Sequence, residues 1–242
     1  AVAAEMDSDN KSSPFLPSGS RAWMSLKWKV VVGCTLVAMC IAGAAVGGAM
    51  AVRDERKRQQ GDKAPENIKG KSGDIMNKKA HGTCLGAVQL PLRWNCDWDK
   101  ADEISCLNRH WAERAGYWQT TQFFVEEGMD TKIKSGTTIF YDSVTSEPLF
   151  QAPVGRSWEN FVEESLHHGW PSFRDEEVVS KRVRVLEDGE TVSVDGTHLG
   201  HNLPDSKGNR YCINLVSVAG FAPNTPEGNK AQLAINWNIT KN

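Results

Sequence analysis

Polar and apolar positions divide the amino-terminal part of the chain into three kinds of segment. Residues 1–29 form a polar arm rich in Ser, Asp and Pro, closing on Arg21, Trp23, Lys27, Trp28 and Lys29. From Val30 to Val52 no charged residue occurs. In a helix these residues rise roughly 34 Å, enough to cross a hydrocarbon core of about 30 Å with some tilt, so the run predicts one transmembrane helix. A cleavable signal peptide would carry a shorter apolar core and would be missing from the mature protein. Residues 53–80, dense in Lys, Gln, Asp, Asn and Gly, read as a charged, solvated linker.

From His81 onward the pattern becomes that of a folded domain, expected over 81–222, with a tail over 223–242 after Phe221. Over 99–115 the spacing of Ile104, Leu107 and Trp111 predicts an amphipathic helix. Strand-like runs rich in Val, Ile, Thr and aromatic residues occur at 137–141, 178–186, 191–194 and 211–218. Glu187-Asp188-Gly189-Glu190 lies between two of them and predicts a tight hairpin, because Asp-Gly tolerates positive φ. The expected fold class is therefore mainly β: an antiparallel-sheet domain with short flanking helices, preceded by one transmembrane helix.

Charge adds orientation and excludes a class of partner. The 28 Lys and Arg against 30 Asp and Glu leave no generally basic surface, so nucleic acid is not expected as a partner. Lys11, Arg21, Lys27 and Lys29 precede the apolar run, whereas Arg53, Arg56, Lys57, Arg58, Lys63, Lys69 and Lys71 follow it. That excess puts the folded domain on the cytoplasm-equivalent side of a single-pass membrane protein. Gly43 and Gly47 form a Gly-x-x-x-Gly pair inside the run, which suits close packing against a partner transmembrane helix. The chain begins Ala1-Val2-Ala3-Ala4 rather than with Met. That start fits either a removed leader or a record beginning inside a precursor, and an organellar membrane, thylakoid or inner mitochondrial, is the expected location.

Cysteines raise the question of chemistry. Cys34 and Cys40 lie in the apolar run, leaving Cys84, Cys96, Cys106 and Cys212 for the domain. No Cys-x-x-Cys pair occurs, so no metal is expected. Four cysteines are too sparse for a disulfide scaffold, which leaves a reactive thiol with redox partners beside the alternative of four inert buried thiols.

Three short blocks then stand out in order: Gly169-Trp170-Pro171-Ser172-Phe173, His198-Leu199-Gly200-His201 followed by Pro204-Asp205, and Arg210-Tyr211-Cys212-Ile213-Asn214. Together they resemble the signature blocks of the methionine-R-sulfoxide reductases, and Thr138–Phe150 is similar to that family's upstream strand and turn. The likeness spans about residues 137–221. It implies a zinc-free, membrane-anchored member that reduces methionine-R-sulfoxide, free or in a protein, through a sulfenic acid on Cys212. By the same likeness Arg210 favours the thiolate, His198 and His201 bind and protonate the sulfoxide oxygen, Asp205 orients an imidazole, and Asn214 donates a hydrogen bond. Trp170 and Phe173 form the substrate side. The chemistry suits these residue types, since a sulfoxide needs a thiol nucleophile, a proton donor and an apolar contact for its methyl group.

Departures from the family pattern mark what is particular to this chain. Val194-Asp195-Gly196-Thr197 stands where zinc-bearing members have a cysteine pair, so packing alone is expected to hold the fold. His168 stands where many members place a resolving cysteine, which leaves Cys84, Cys96, Cys106 or an external thiol reductant such as thioredoxin to regenerate Cys212. Asn202 replaces a usual apolar residue, and the loop from Asp205 to Cys212 is short. No cofactor is expected. A second reading of the same features is a non-catalytic or weakly active accessory subunit of a membrane complex, such as a photosynthetic or respiratory assembly, using a reductase-like domain for docking.

Overall fold

A computed structural model of the chain describes residues 63–230 together with Val52 and Glu55. The predicted transmembrane helix over 30–52 and its Gly43/Gly47 pair lie, but for Val52, outside the described residues. Among the described residues no helix is long and apolar enough to cross a membrane.

Among the described residues seven strands build two antiparallel sheets: β1 (Thr138–Tyr141), β2 (Pro148–Ala152), β3 (Ser172–Phe173), β4 (Val183–Val185), β5 (Glu190–Ser193), β6 (His198–Asn202) and β7 (Tyr211–Ile213). β1 and β2 form a ribbon, and the other five pair in the order β3-β7-β6-β5-β4. The mainly β, antiparallel expectation agrees with this. The hairpin at Asp188-Gly189 joins β4 to β5, with Gly189 at φ +86° and Leu186 N–H donating to Glu190 O at 2.8 Å.

Several elements are shorter than their sequence runs. The run 178–186 yields only β4, and 211–218 yields β7 followed by a tight 3₁₀ turn at Leu215–Val218. The helix expected over 99–115 spans only Trp98–Asp102, continues as one wide turn over Glu103–Leu107, and stops at Asn108. Trp111 is 60% exposed, off any helix. A different demand on the backbone ends that helix: Glu113 N–H bonds the Asn214 side chain, and the Glu113 carboxylate takes Leu215 and Val216 N–H.

Two segments are more ordered than the sequence suggested. Within 63–80, expected as solvated linker, Ile68 is buried in the core and Gly70 N–H donates to Val185 O at 2.9 Å. Lys69 bridges Val185 in parallel, so this segment covers β4, whose edge would otherwise present unpaired backbone groups. The other is the helix Trp158–His168, which begins at Ser157 accepting from Asn160 N–H and buries Trp158, Phe161, Val162 and Ser165 along one face. It ends at Gly169, φ +86°, where a Cβ would stand 2.9 Å from Ala115 Cβ. Ser165 Oγ then accepts from Ser172 N–H at 3.1 Å, which fixes the step from helix into β3.

The core is aromatic where these parts meet. Phe173 of β3 stacks on Phe150 of β2 at 4.5 Å between centroids, meets Phe140 of β1 edge-on at 4.9 Å, and lies 5.3 Å from Phe161 of the helix. All four are fully buried. Truncating Phe173 would remove the common contact of strand, ribbon and helix at a cost of about 3–5 kcal/mol.

Around Thr197, between β5 and β6, a hydrogen-bonded knot ties ribbon to sheet. Thr197 O–H donates to both Asp142 oxygens at 3.0 Å, Val144 N–H donates to Asp142 Oδ1 at 2.8 Å, and Ser193 Oγ accepts from Thr197 N–H at 3.1 Å. Packing is thus not the sole hold on this corner.

Candidate active site

The three blocks become three adjacent strands. Gly169–Phe173 leads into β3, Arg210–Asn214 contains β7, and His198–His201 opens β6, with β7 between the other two. Cys212 is directly opposite Ser172 on β3 and His201 on β6. Directly opposed residues in an antiparallel pair hold their Cβ atoms about 4.5–5.5 Å apart, so the Cys212 sulfur and the His201 ring share one face.

The β6 backbone adapts to make this possible. Thr191 pairs Gly200, yet Val192 pairs His198, so Leu199 is an extra residue on β6. In a regular strand residues three apart face opposite ways; the bulge re-aims them, and the His198 and His201 rings come to 5.8 Å between centroids. Gly200 permits the close approach of β6 to β7, because a Cβ there would stand 2.1 Å from the Cys212 carbonyl oxygen.

His198 is buried, with Nδ1 2.7 Å from Glu190 Oε1, and His201 is exposed. Glu190 also pairs with Arg109, whose Nε lies 3.1 Å from Oε1 and whose Nη2 reaches Oε2. Burial alone would raise the Glu190 carboxyl, but the bonds from His198 and Arg109 outweigh it and hold the group below the ordinary carboxylate range. The carboxylate that orients His198 is therefore Glu190. Asp205, expected in that role, accepts instead from Arg174 Nη1 at 3.1 Å and Nη2 at 2.9 Å, and lies 3.5 Å from Arg210 Nε. Hydrogen bonding from Arg174 keeps the Asp205 carboxyl below its usual value.

Cys212 is half-buried and reduced. Burial pushes its thiol up to about 11; the Arg210 charge and hydrogen bond pull it down, while Glu113 pushes it further up. Arg210 thus favours the thiolate as the sequence suggests, but loses to desolvation, and the resting group is a thiol at neutral pH. Arg210 Nη1 is buried without a hydrogen-bond partner among the described residues, leaving a cationic N–H donor near the sulfur.

Asn214 is fixed at both ends: Oδ1 accepts from Glu113 N–H at 3.0 Å and Nδ2 donates to Leu199 O at 3.1 Å. Those two partners admit only one orientation of the amide, and one Nδ2–H remains beyond the Leu199 bond. Trp170, half-buried, donates Nε1–H to Glu113 O at 3.0 Å. Phe173, expected on the substrate side, is wholly buried in the aromatic core.

The remaining candidates are arranged differently from expectation. Cys84 and Cys106 are joined in a disulfide and buried, and Cys96 is a buried free thiol that desolvation pushes far above the ordinary range. Beside Asp205 opens a groove of about 840 Å³ bordered by Arg156, His168, Arg174 and Lys207. Glu164, His168 and Asp205 bring ligand atoms within 4.8 Å of one another there. Both carboxylates are nevertheless engaged: Glu164 by Arg156 and Arg174, Asp205 by Arg174.

Sequence reasoning missed Glu190, Arg109 and Glu113. The signal for Glu190 was a charge at the head of the otherwise uncharged run Thr191–Val194; for Arg109 and Glu113, which read as solvent-facing charges of the expected amphipathic helix over 99–115, there was none.

Three adjacent strands thus bring a cysteine and two imidazoles together, with the Trp170 indole just ahead of β3. In keeping with this, the chain is 40% identical over 75 residues to the peptide methionine sulfoxide reductase MsrB of Methanosarcina mazei, a match covering 26% of this chain and 52% of that protein. The chain thus spans about half the length of the curated relative it matches. That partial likeness supports the methionine sulfoxide reductase family and gives no support to membrane anchoring. No family model matches, and no solved structure matches.

Proposed function

We propose that the protein reduces methionine-R-sulfoxide, free or in a polypeptide, to methionine through a sulfenic acid on Cys212. The observation that carries this reading is the register: Cys212 lies directly opposite His201, on the strand between β3 and β6. In the reaction the substrate sulfur gains two electrons and loses its oxygen, while the Cys212 sulfur loses the same two electrons and becomes the sulfenic acid. A thiol at rest suits a step in which sulfur attack and protonation of the sulfoxide oxygen are coupled. As it attacks, the thiol gives its proton to the exposed His201, which hands one in turn to the sulfoxide oxygen, with Glu190 holding the His198 ring beside it. The free Arg210 Nη1–H and the remaining Asn214 Nδ2–H are donors for the same oxygen, and Trp170 is the wall for the S-methyl group. An external dithiol such as thioredoxin then returns the sulfenic acid to the thiol.

The test is single turnover of reduced protein against the two sulfoxide epimers. Release of one methionine equivalent from the R epimer alone is expected; none from either epimer sinks the reading and leaves the accessory-subunit alternative. Membrane anchoring by residues 30–52 belongs to the same proposal and rests on the sequence. Full-length protein should stay with membranes through alkaline washing, and its release would refute the anchor.

A further inference from the structure

Glu113 touches three parts of the site at once. Its carboxylate accepts from Leu215 N–H at 2.9 Å and Val216 N–H at 3.1 Å, clamping the turn that follows β7. Its N–H holds Asn214 Oδ1 at 3.0 Å, and its C=O holds Trp170 Nε1–H at 3.0 Å. The residue is 2% exposed, in an irregular stretch that belongs to none of the three blocks.

We propose that Glu113 is a positioning residue for sulfoxide reduction, fixing the indole of Trp170 and the amide of Asn214 relative to Cys212. The role rests on the reductase reading above. The carboxylate is the anchor: with both oxygens bound to the turn, the backbone of residue 113 has one place to lie, and from there its N–H and C=O meet the two side chains. The clamp also reaches the nucleophile electrostatically. Burial pushes the Glu113 carboxyl up to about 8, against the two N–H bonds that favour its ionised form, and its charge raises the Cys212 thiol. At the pH where Cys212 ionises, Glu113 carries that charge.

The substitution Glu113→Gln in the full-length chain keeps the shape but cannot accept both N–H bonds and carries no charge. Two measurements follow. Steady-state kinetics on methionine-R-sulfoxide with dithiothreitol should show KM raised about tenfold, the cost of one displaced buried hydrogen bond. Alkylation of Cys212 by iodoacetamide across pH, followed by mass spectrometry of its peptide, should show a midpoint moved downward. A purely structural defect would lower kcat with the fraction folded and leave KM and midpoint alone; that outcome overturns the proposal. If Glu113→Gln does not fold, Trp170→Phe keeps an aromatic wall but removes the N–H that Glu113 holds, and an unchanged KM there overturns it equally. Wild-type protein inactive toward both epimers would dismiss the reductase reading, and an unmoved Cys212 midpoint in Glu113→Gln would then dismiss the clamp separately.

Discussion

The β3-β7-β6 strands and the irregular segment 103–118 meet around Cys212, yet they are built by opposite means. In the strands, position follows from register: one residue opposite another, one bulge, one glycine where backbones approach. Position in the segment comes from individual polar bonds, with Arg109 on Glu190, Glu113 on the turn after β7, and the disulfide from Cys106 to Cys84. The strands carry the groups proposed to react, while the segment decides how those groups are held. A ladder can be deleted only as a whole, whereas side-chain bonds can be removed one at a time, so the comparison is open to single substitutions.

The largest effect falls on the strands. Cys212→Ser should abolish methionine release in single turnover, a loss of more than about a thousandfold. Serine at Cys84, Cys96 or Cys106 should leave the chemical step largely intact, since none belongs to the three strands. Activity in Cys212→Ser equal to wild type would move the chemistry elsewhere.

Reduction of the Cys84–Cys106 disulfide tests the segment's covalent hold. A loop closed across a separation of 22 residues contributes about 3 kcal/mol in the chain-entropy account. Denaturant midpoints with and without a phosphine reductant should differ accordingly; equal midpoints would mean that the polar bonds alone hold the segment.

What was legible in the sequence follows the same division. Strands announce themselves locally: β1, β4 and β7 fall within their runs, β5 starts one residue ahead of its own, and the motif blocks led to the residues that register brings together. Local pattern does not say how far a run remains strand. Residues 215–218 are nearly as apolar as a strand, but the Leu215 and Val216 N–H groups go to Glu113, a hundred residues earlier, and the turn forms instead. Glu190 and Glu113 were missed for one reason. A carboxylate inside a fold is recognisable only by its partners, and these come from distant parts of the chain. The helix Trp158–His168 was locally readable from Ser157, the spacing of Trp158, Phe161, Val162 and Ser165, and Gly169.

Glu190→Ala probes the bond between the two regions. It leaves His198 buried without its carboxylate and Arg109 without its pair, which should cost about 2 kcal/mol by chemical denaturation, below the roughly 3–5 kcal/mol of a fully buried pair because Arg109 reaches solvent. Glu190→Gln restores an acceptor for His198 and should recover most of the catalytic loss but not the ion pair. Equal damage in both would show that charge, not ring orientation, is what Glu190 supplies.

The smallest effect sought is a change of slope with pH, and it separates the regions by their titration windows. Asp142, in the knot that ties ribbon to sheet, is pushed by burial from 3.8 up to about 6, against the bonds from Val144 N–H and the Thr197 hydroxyl. Glu113, in the segment, is pushed from 4.5 up to about 8. Both are acids whose folded values lie above their unfolded ones, so the native state binds more protons than the unfolded state inside each window. The favourable contribution of each is complete below its unfolded value and is lost as pH rises through its folded value. Asp142 should therefore weaken the fold between about pH 4 and 6, and Glu113 between about pH 4.5 and 8. From pH 6 to 8 Glu113 alone of the two still titrates. Over that interval Asp142→Asn should keep the wild-type slope of unfolding free energy against pH, whereas Glu113→Gln should lose part of its fall. Below pH 6 both variants should depart from wild type. Identical slopes for wild type and Glu113→Gln from pH 6 to 8 would mean that the Glu113 carboxylate is ionised in the native state throughout, with its two N–H bonds outweighing its burial.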